Sequence, residues 1–174
     1  PAPRQPPTIP HIVRGLLEVV PVPGKGLGYR AARPIRRGDA LLHDRAFCSA
    51  PAGANEYCTL AQQCLQVADA LGAERFWELV GTLAPGSAKA RNSLRGILEN
   101  NVVACSREPD QTALFIMVAR FNHSCCPNAF VDATASSATV RALQDIPVGE
   151  EVCISYVPVS LSLQGRRRLL SVKD

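Results

Sequence analysis

Short runs of branched apolar residues, broken by proline and glycine, dominate the first fifty residues and favour β-strands over helices. Residues 12–20 predict one strand, and the prolines and glycines of the segment 21–30 end it. The segment 31–50 has the rhythm of a short strand, a turn at Gly38 and Asp39, and another strand. We therefore expect a β-meander in this part of the chain.

The hydrophobic period becomes helical at Asn55. Two short helices are predicted, with a break at Gly72 between them. Their expected core positions are Leu60, Cys64, Val67, Ala68, Leu71, Phe76, Leu79 and Val80. Ser87 is a favourable N-cap for a third helix, which places its apolar face at 94–98.

After residue 100 the pattern returns to strands, and the polar segment 106–111 predicts a hairpin loop. Strand-like runs follow at 129–133, 137–146 and 150–157. A helical insert of about 55–100 thus interrupts two β-rich blocks, which predicts an α+β fold. We interpret the chain as one domain, 1–174, made of a Pro-rich tail, a β block, the insert, a second β block and the start of a C-terminal helix. The bounds of these pieces are 1–10, 11–50, 51–100, 101–160 and 161–174.

Composition agrees with a single cored domain, because 47% of the residues are hydrophobic and 20% are charged. No apolar run of about eighteen residues occurs, so we expect no membrane partner. The net charge of +4 is mild, and the basic run at 165–170 predicts a solvated helix face. No motif of sequence-specific nucleic-acid binding is present, so we expect none of that function.

The seven cysteines have irregular spacing and do not suggest a disulfide framework, which favours a reducing compartment. A zinc site is the alternative, since Cys58, Cys64, Cys125, Cys126 and His123 all have ligand chemistry. No C-x-x-C pair occurs, however, and the spacings fit no standard finger. Buried free thiols are therefore the preferred interpretation.

Three short motifs carry the candidate chemistry: "GKGLG" at 24–28, "NHSCCPN" at 122–128 and "GEEVCISY" at 149–156. The first could cradle a phosphate, but no helix is predicted after it, so a hairpin turn is the plainer interpretation. The second offers Cys125 or Cys126 as a nucleophile beside His123, although residues so close in a tight turn rarely converge on one substrate atom. A nucleophile would react rapidly with a thiol alkylator, whereas we expect these two thiols to be largely buried. In the third motif, Tyr156 is otherwise a half-buried aromatic residue at a sheet edge.

The order and spacing of the three motifs resemble those of SET-domain protein lysine methyltransferases, most closely the SET and MYND domain family. The resemblance covers about 13–170, but the MYND finger, the post-SET cysteines and the second aromatic residue of the lysine channel have no counterparts in this sequence. It implies several short sheets around a C-terminal pseudoknot, with the helical insert at one side. "NHSCCPN" is then the place where the chain crosses itself.

The resemblance also implies S-adenosylmethionine as cofactor. The implied cofactor-binding residues are Lys25, Gly26, Leu27, Gly28, Asn100, Asn122, His123 and Tyr156. Asn101 is a rival for the role of Asn100. Tyr156 is the implied catalytic residue, which lines the lysine channel beside the transferring methyl group. No metal site is expected, because the cysteines that join the counterpart of Cys125 around zinc in the family are missing.

The function implied is that of an S-adenosylmethionine-dependent protein lysine N-methyltransferase, with a histone tail or another protein as substrate, in the nucleus, the cytoplasm or both. The alternative is a SET-like interaction module with weak catalysis, and cofactor binding discriminates between the two. The chain begins at Pro1 rather than Met. Because one side of the lysine channel is open, we expect a longer native protein, or another element or subunit, to cover it.

Overall fold

The computed structural model describes residues 11–12, 15–81, 83 and 93–170, with the backbone alone described at 11–12. The strands are β1 His11–Ile12, β2 Leu17–Val22, β3 Gly26–Ala31, β4 Ala40–Arg45, β5 Cys48–Pro51, β6 Val102–Ala104, β7 Gln111–Leu114, β8 Asn122–His123, β9 Ala129–Ala133, β10 Ser137–Ala142 and β11 Glu151–Ile154. The helices are α1 Glu56–Leu71, α2 Ala73–Val80, α3 Leu94–Asn101 and α4 Leu163–Leu170, with a 3₁₀ turn at Val118–Arg120.

The strands form three small sheets, in the orders β1-β4-β10-β9, β2-β3-β11-β8 and β5-β7-β6. Neighbouring strands are antiparallel throughout, except that β8 and β11 run parallel. In each of the first two sheets an early strand pairs with a late one, β4 with β10 and β3 with β11, so segments about a hundred residues or more apart are hydrogen-bonded neighbours. The predicted α+β fold is confirmed.

Two predictions for the N-terminal block are wrong. The single strand at 12–20 is two strands, β1 and β2, and Gly15 lies between them with φ of 74°, a left-handed conformation that favours glycine. The β-meander is absent, because β3 pairs with β2 and β11 whereas β4 pairs with β1 and β10. Long-range pairing with late strands decides this arrangement, and local hydrophobic patterns carry no information about it.

The helical insert follows the prediction more closely. Helices α1 and α2 meet at Gly72, whose φ of 86° breaks the helical path. Leu60, Cys64, Phe76 and Val80 are buried as expected, but Leu79 is exposed. The Ser87 cap lies outside the described residues; the described part of the third helix begins after Ser93, whose side chain accepts a hydrogen bond from the Gly96 N–H.

Two hydrophobic clusters form the core, and the segment around β7 contributes to both. Ala113 and Phe115 belong to the cluster between the first two sheets, while Leu114 and Ile116 belong to the cluster under the insert. This is the two-residue alternation of an extended chain. The insert is therefore packed directly on the strand that precedes the candidate site.

Helix α4 carries the basic run on its surface, with Arg167 and Arg168 exposed as expected. Its Arg166 turns inward, and the guanidinium Nη1 donates to the Cys125 carbonyl at 3.1 Å. Within the described ranges, none of the helices has the length and apolar character needed to cross a bilayer.

Candidate active site

The "GKGLG" motif forms the tip of the β2–β3 hairpin. Val22 and Gly26 are paired, and the Lys25 N–H donates to the Val22 carbonyl at 3.0 Å. Gly26 has φ of 83°, which a turn at this point requires. Strand β3 follows the motif directly, so the hairpin interpretation is confirmed and a phosphate loop before a helix is excluded.

Gly28 lies where the hairpin touches strand β8. A Cβ atom at this position would overlap the side-chain amide nitrogen of Asn122 and lie 3.0 Å from Val22 Cγ2. The Asn122 side chain is 8% exposed and packs on the bare backbone of Gly28. Glycine is thus required at position 28 so that the Asn122 side chain can approach the backbone closely, and not because of an unusual φ.

Glu151 connects Asn122, which packs on Gly28, to Lys25, and the sequence did not predict this role. The Asn122 Nδ2 donates to Glu151 Oε1 at 2.8 Å, and the Lys25 ammonium donates to Oε2, also at 2.8 Å. Burial raises the pKa of the Glu151 carboxyl, but the hydrogen bonds from Lys25 and Asn122 outweigh this effect and the net pKa lies below its ordinary value. The same bond to Glu151 raises the pKa of Lys25. Only the position of Glu151 within "GEEVCISY" could have drawn attention to it.

Strand β11 inserts between β3 and β8, so the late segment crosses the "NHSCCPN" motif. The parallel register pairs Cys153 with Asn122 and Ile154 with His123, and the Ser124 N–H donates to the Ile154 carbonyl at 2.9 Å. This arrangement confirms the chain crossing expected of the motif. It is also what brings Tyr156, just after β11, beside His123.

His123 links the motif to Tyr156. Its Nδ1 accepts a hydrogen bond from the Tyr156 backbone N–H at 3.0 Å, and the two rings are 5.4 Å apart. Since Nδ1 is an acceptor, the ring proton of neutral His123 resides on Nε2, 3.4 Å from Cys125 Sγ. Nε2 is then a donor to sulfur and cannot remove the thiol proton. The arrangement argues against a cysteine nucleophile activated by His123.

The expectation that Cys125 and Cys126 are largely buried is wrong. Cys126 is exposed and Cys125 is half-buried, because the crossing lies at the surface and its tight turn directs these side chains outward. The buried thiols are Cys48, Cys64, Cys105 and Cys153. No cluster of three or more potential metal ligands occurs among the residues that the structure describes.

The hydroxyl of Tyr156 turns into the protein and donates to the Phe121 carbonyl at 2.7 Å. The residue as a whole remains 40% exposed. Burial of the hydroxyl, with the nearby Cys153 and Glu151 side chains, raises the pKa of Tyr156 to about 12. The phenol is therefore neutral at physiological pH and is no general base.

Tyr156 lines a cavity of about 600 Å³ between β6, β9 and the segment after β11. Val118, Ala119 and Ile154 contribute to it from the core side, and both Asn100 and Asn101 contribute from the end of α3. Asn101 is buried, and its side-chain amide donates to the Ile97 carbonyl at 2.8 Å. Asn100 is half-buried.

The predicted site residues therefore fall into two groups. Lys25, Gly26, Leu27, Gly28 and Asn122 gather at the hairpin tip. Asn100 and Tyr156 lie at the cavity. His123 stands between the groups, since it is adjacent to Asn122 in β8 and contacts Tyr156. Such an arrangement can hold one ligand at the hairpin and a second in the cavity.

Comparison with known families identifies the fold. The family described as the SET domain matches residues 26–157, which include Gly26 and Gly28 of the hairpin, the crossing and Tyr156. The chain belongs to the SET domain family. The predicted resemblance is thus confirmed at the level of the family.

Several lysine methyltransferases resemble part of this SET domain. The N-lysine methyltransferase SMYD2 of Homo sapiens is 46% identical over 55 residues, which are 32% of this chain and 13% of that protein. The histone-lysine N-methyltransferase ASHR2 of Arabidopsis thaliana is 40% identical over 57 residues, 29% of this chain and 14% of that protein. The matched parts are thus short segments of much longer relatives.

A crystal structure from Plasmodium falciparum, with the provisional assignment of histone methyltransferase, has a TM-score of 0.49 and 14% identity to this SET domain. The match covers 83% of this chain and 96% of that chain.

Proposed function

We propose that this SET domain is an S-adenosylmethionine-dependent protein lysine N-methyltransferase. The observation that carries the proposal is the position of Tyr156, which lines a largely apolar cavity, donates its hydroxyl proton to the Phe121 carbonyl, and is connected by His123 to the Asn122 and Gly28 contact. Family membership and the partial likeness to N-lysine methyltransferases support it.

The hairpin side suits the cofactor. The exposed turn at Gly26 and Leu27, next to the polar side chain of Asn122 that packs on Gly28, makes a surface that a nucleoside and an amino acid moiety can approach closely. Lys25 adds a cation close to this surface. The residues that would hold the cofactor are Lys25, Gly26, Leu27, Gly28, Asn100, Asn122, His123 and Tyr156. When bound, S-adenosylmethionine supplies an electrophilic methyl group on a sulfonium sulfur.

The cavity side suits a lysine side chain. Methyl transfer needs the neutral amine, although free lysine has a pKa of about 10.4. Burial among apolar side chains disfavours the ammonium form, and no carboxylate of the described residues lines the cavity to stabilise it. The cavity therefore lowers the pKa of an entering lysine.

Tyr156 orients the nucleophile. Its proton is donated to the Phe121 carbonyl, and a phenolic oxygen has two lone pairs, so it can also accept a hydrogen bond from the lysine amine. That contact directs the amine lone pair. Alignment of this kind supplies much of the acceleration in a displacement between two bound reactants.

The substrate that fits is a lysine within an extended protein segment. Strands β6 and β9 are both edge strands of their sheets, and both line the cavity, so each offers backbone groups to an added strand. A histone tail is one candidate, in keeping with the name of the Arabidopsis relative, and substrates of this kind occur in the nucleus and cytoplasm.

Calorimetric titration of the purified chain with S-adenosylmethionine tests the proposal. We expect saturable binding that Asn122→Ala abolishes, because this substitution removes the amide that packs on Gly28 and bonds to Glu151. Asn55→Ala is the matched control, since Asn55 is exposed at the start of α1 and its side chain makes no capping bond. Equal binding by both variants would contradict this site.

A SET-like interaction module is the second candidate, favoured by the exposed apolar side chains Phe130 and Leu143 at the cavity. Such a module would bind a peptide with no dependence on the cofactor. Peptide binding without any S-adenosylmethionine binding would favour it over the transferase.

A further inference from the structure

Among the residues that the structure describes, only uncharged side chains line the cavity beside Tyr156. Its polar lining residues are Asn100, Asn101, Ser106, Ser155 and Tyr156, and the other lining residues are apolar. None of these is Asp, Glu, Lys, Arg or His, although charged residues are 20% of the sequence. A ligand that is charged next to its lysine would find no opposite charge on these walls.

Hydrogen bonds join the ends of β6 and β9 beside the cavity. Just beyond β6, the Ser106 hydroxyl oxygen accepts from the Ala133 N–H at 2.9 Å, and the Arg107 N–H donates to the Ala133 carbonyl at 3.1 Å. The Arg107 guanidinium is engaged with Asp132 at the same place, with Nε 2.7 Å from Oδ1. The Arg107 and Asp132 charges at the ends of β6 and β9 therefore compensate each other instead of attracting a charged ligand.

The open side presents large apolar side chains to solvent. Phe130 is 40% exposed, Leu143 41% and Val159 59%, and all three line the cavity together with Tyr156. An apolar surface of this kind gains free energy when apolar groups cover it. A charged side chain placed there loses hydration and gains no partner.

We propose that the substrate segment carries apolar, uncharged residues on both sides of the target lysine, and that segments with arginine, lysine or acidic residues there are poor substrates. This inference rests on the proposed methyltransferase function. The occupant of the cavity is thus an apolar lysine-bearing segment of another protein, held beside the edges of β6 and β9. Of the substrates proposed above, histone-tail segments with basic residues beside the target lysine are therefore disfavoured.

Two peptides of equal length with one central lysine test the inference. In one the flanking residues are leucine and valine, in the other arginine, and both carry the same solubilising ends. Peptide binding is measured by fluorescence anisotropy, and methyl transfer from S-adenosylmethionine by mass spectrometry. We expect the apolar peptide to have a kcat/KM at least about tenfold higher, since burying an unpaired charge is costly.

Val159→Glu adds a carboxylate to the wall and should reduce the preference for the apolar peptide about tenfold by favouring the arginine peptide. Val148→Glu is the matched control, because Val148 is 58% exposed and lies outside the cavity lining. The preference of that variant should equal that of the unsubstituted chain.

Each outcome separates the inference from the function on which it rests. Equal or better methylation of the arginine peptide overturns the inference and leaves the methyltransferase function standing. Binding of the peptides without any methyl transfer overturns the function instead. A cavity already covered by another segment of the chain or by a second copy would bind neither peptide, and that result overturns the inference.

Discussion

The carboxylate of Glu151 binds the side-chain amide of Asn122 through one oxygen, at 2.8 Å, while its other oxygen holds the Lys25 ammonium. Lys25 on the hairpin and Asn122 on the crossing, which are far apart in sequence, are thereby both held by Glu151. Glu151 is a positioning residue in the proposed cofactor site, because it acts through Asn122 and Lys25.

We expect Glu151→Gln to weaken S-adenosylmethionine binding about tenfold, because it removes the ion pair and disturbs a charge-assisted hydrogen bond. Glu18→Gln is the control, since Glu18 makes a comparable surface ion pair with Arg30 on the same hairpin. Calorimetry on both variants checks this. Unchanged affinity in Glu151→Gln would remove Glu151 from the site.

The pKa shifts of Glu151 and Lys25 give the sign of the pH dependence of cofactor affinity. The pKa of Glu151 is lowered from 4.5, so the stabilisation that its charged carboxylate gives to the Lys25–Glu151 pair is present above pH 4.5. This stabilisation is lost as the pH falls through the pKa of Glu151 in the folded chain. The pKa of Lys25 is raised from 10.5, so its contribution is present below that pH and is lost as the pH rises further. The affinity difference between the unsubstituted chain and Glu151→Gln should be constant between these limits.

Gly28→Ala should reduce the free energy of unfolding by about 1–3 kcal/mol, because the new methyl group displaces the Asn122 side chain. Cofactor binding should fall with it. Gly165→Ala is the control: a Cβ at this helical position meets only ordinary contacts at 3.5 Å, and stability should stay equal or rise by up to about 1 kcal/mol. Urea denaturation of both variants measures the difference, and a fully stable Gly28→Ala would refute the close approach.

Tyr156→Phe should lose most of the methyl transfer activity while the fold remains, because it removes the hydroxyl that donates to the Phe121 carbonyl and orients the amine. The expected cost in stability is about 1 kcal/mol, that of one hydrogen bond. Tyr57→Phe is the control, since Tyr57 lies in α1 away from the cavity lining. Full activity of Tyr156→Phe would exclude Tyr156 from the mechanism.

All three tyrosines should titrate late. Burial raises the pKa of Tyr29 and of Tyr156 to about 12, and burial also raises that of Tyr57. Absorbance of the folded chain at pH 10 should therefore show little tyrosinate, whereas the chain in denaturant should be about half ionised. The contribution of the buried, protonated tyrosines to the free energy of unfolding is therefore fully present below pH 10 and falls as the pH rises towards 12. Half-ionised tyrosines in the folded chain at pH 10 would contradict this burial.

His123 should be the neutral tautomer with its proton on Nε2, because Nδ1 accepts from the Tyr156 N–H. Nitrogen-15 NMR of the ring distinguishes the tautomers directly. His43, whose Nδ1 lies 3.0 Å from the Thr139 hydroxyl, serves as an internal comparison because a hydroxyl can either donate or accept. A proton on Nδ1 of His123 would mean that the contact to Tyr156 is absent in solution.

The insert and the late strands were predictable because their signals are local. Gly72 breaks a helix through its own φ, and β9, β10 and β11 arise from short apolar runs, of which β10 alternates between buried and more exposed positions. The division of the early strands between two sheets was not predictable. It depends on β10 and β11, which lie about a hundred residues later.

By itself, the sequence determined the α+β class, the helical insert, the glycines of the hairpin and the motifs that mark the crossing, since each depends on residues close together in the chain. Only the tertiary structure decided that Glu151 binds both Asn122 and Lys25, that His123 uses Nδ1 for Tyr156, and that Cys126 is exposed. These facts come from the insertion of β11 between β3 and β8. Such pairing is selected by the packing of the whole core, and no local pattern encodes it.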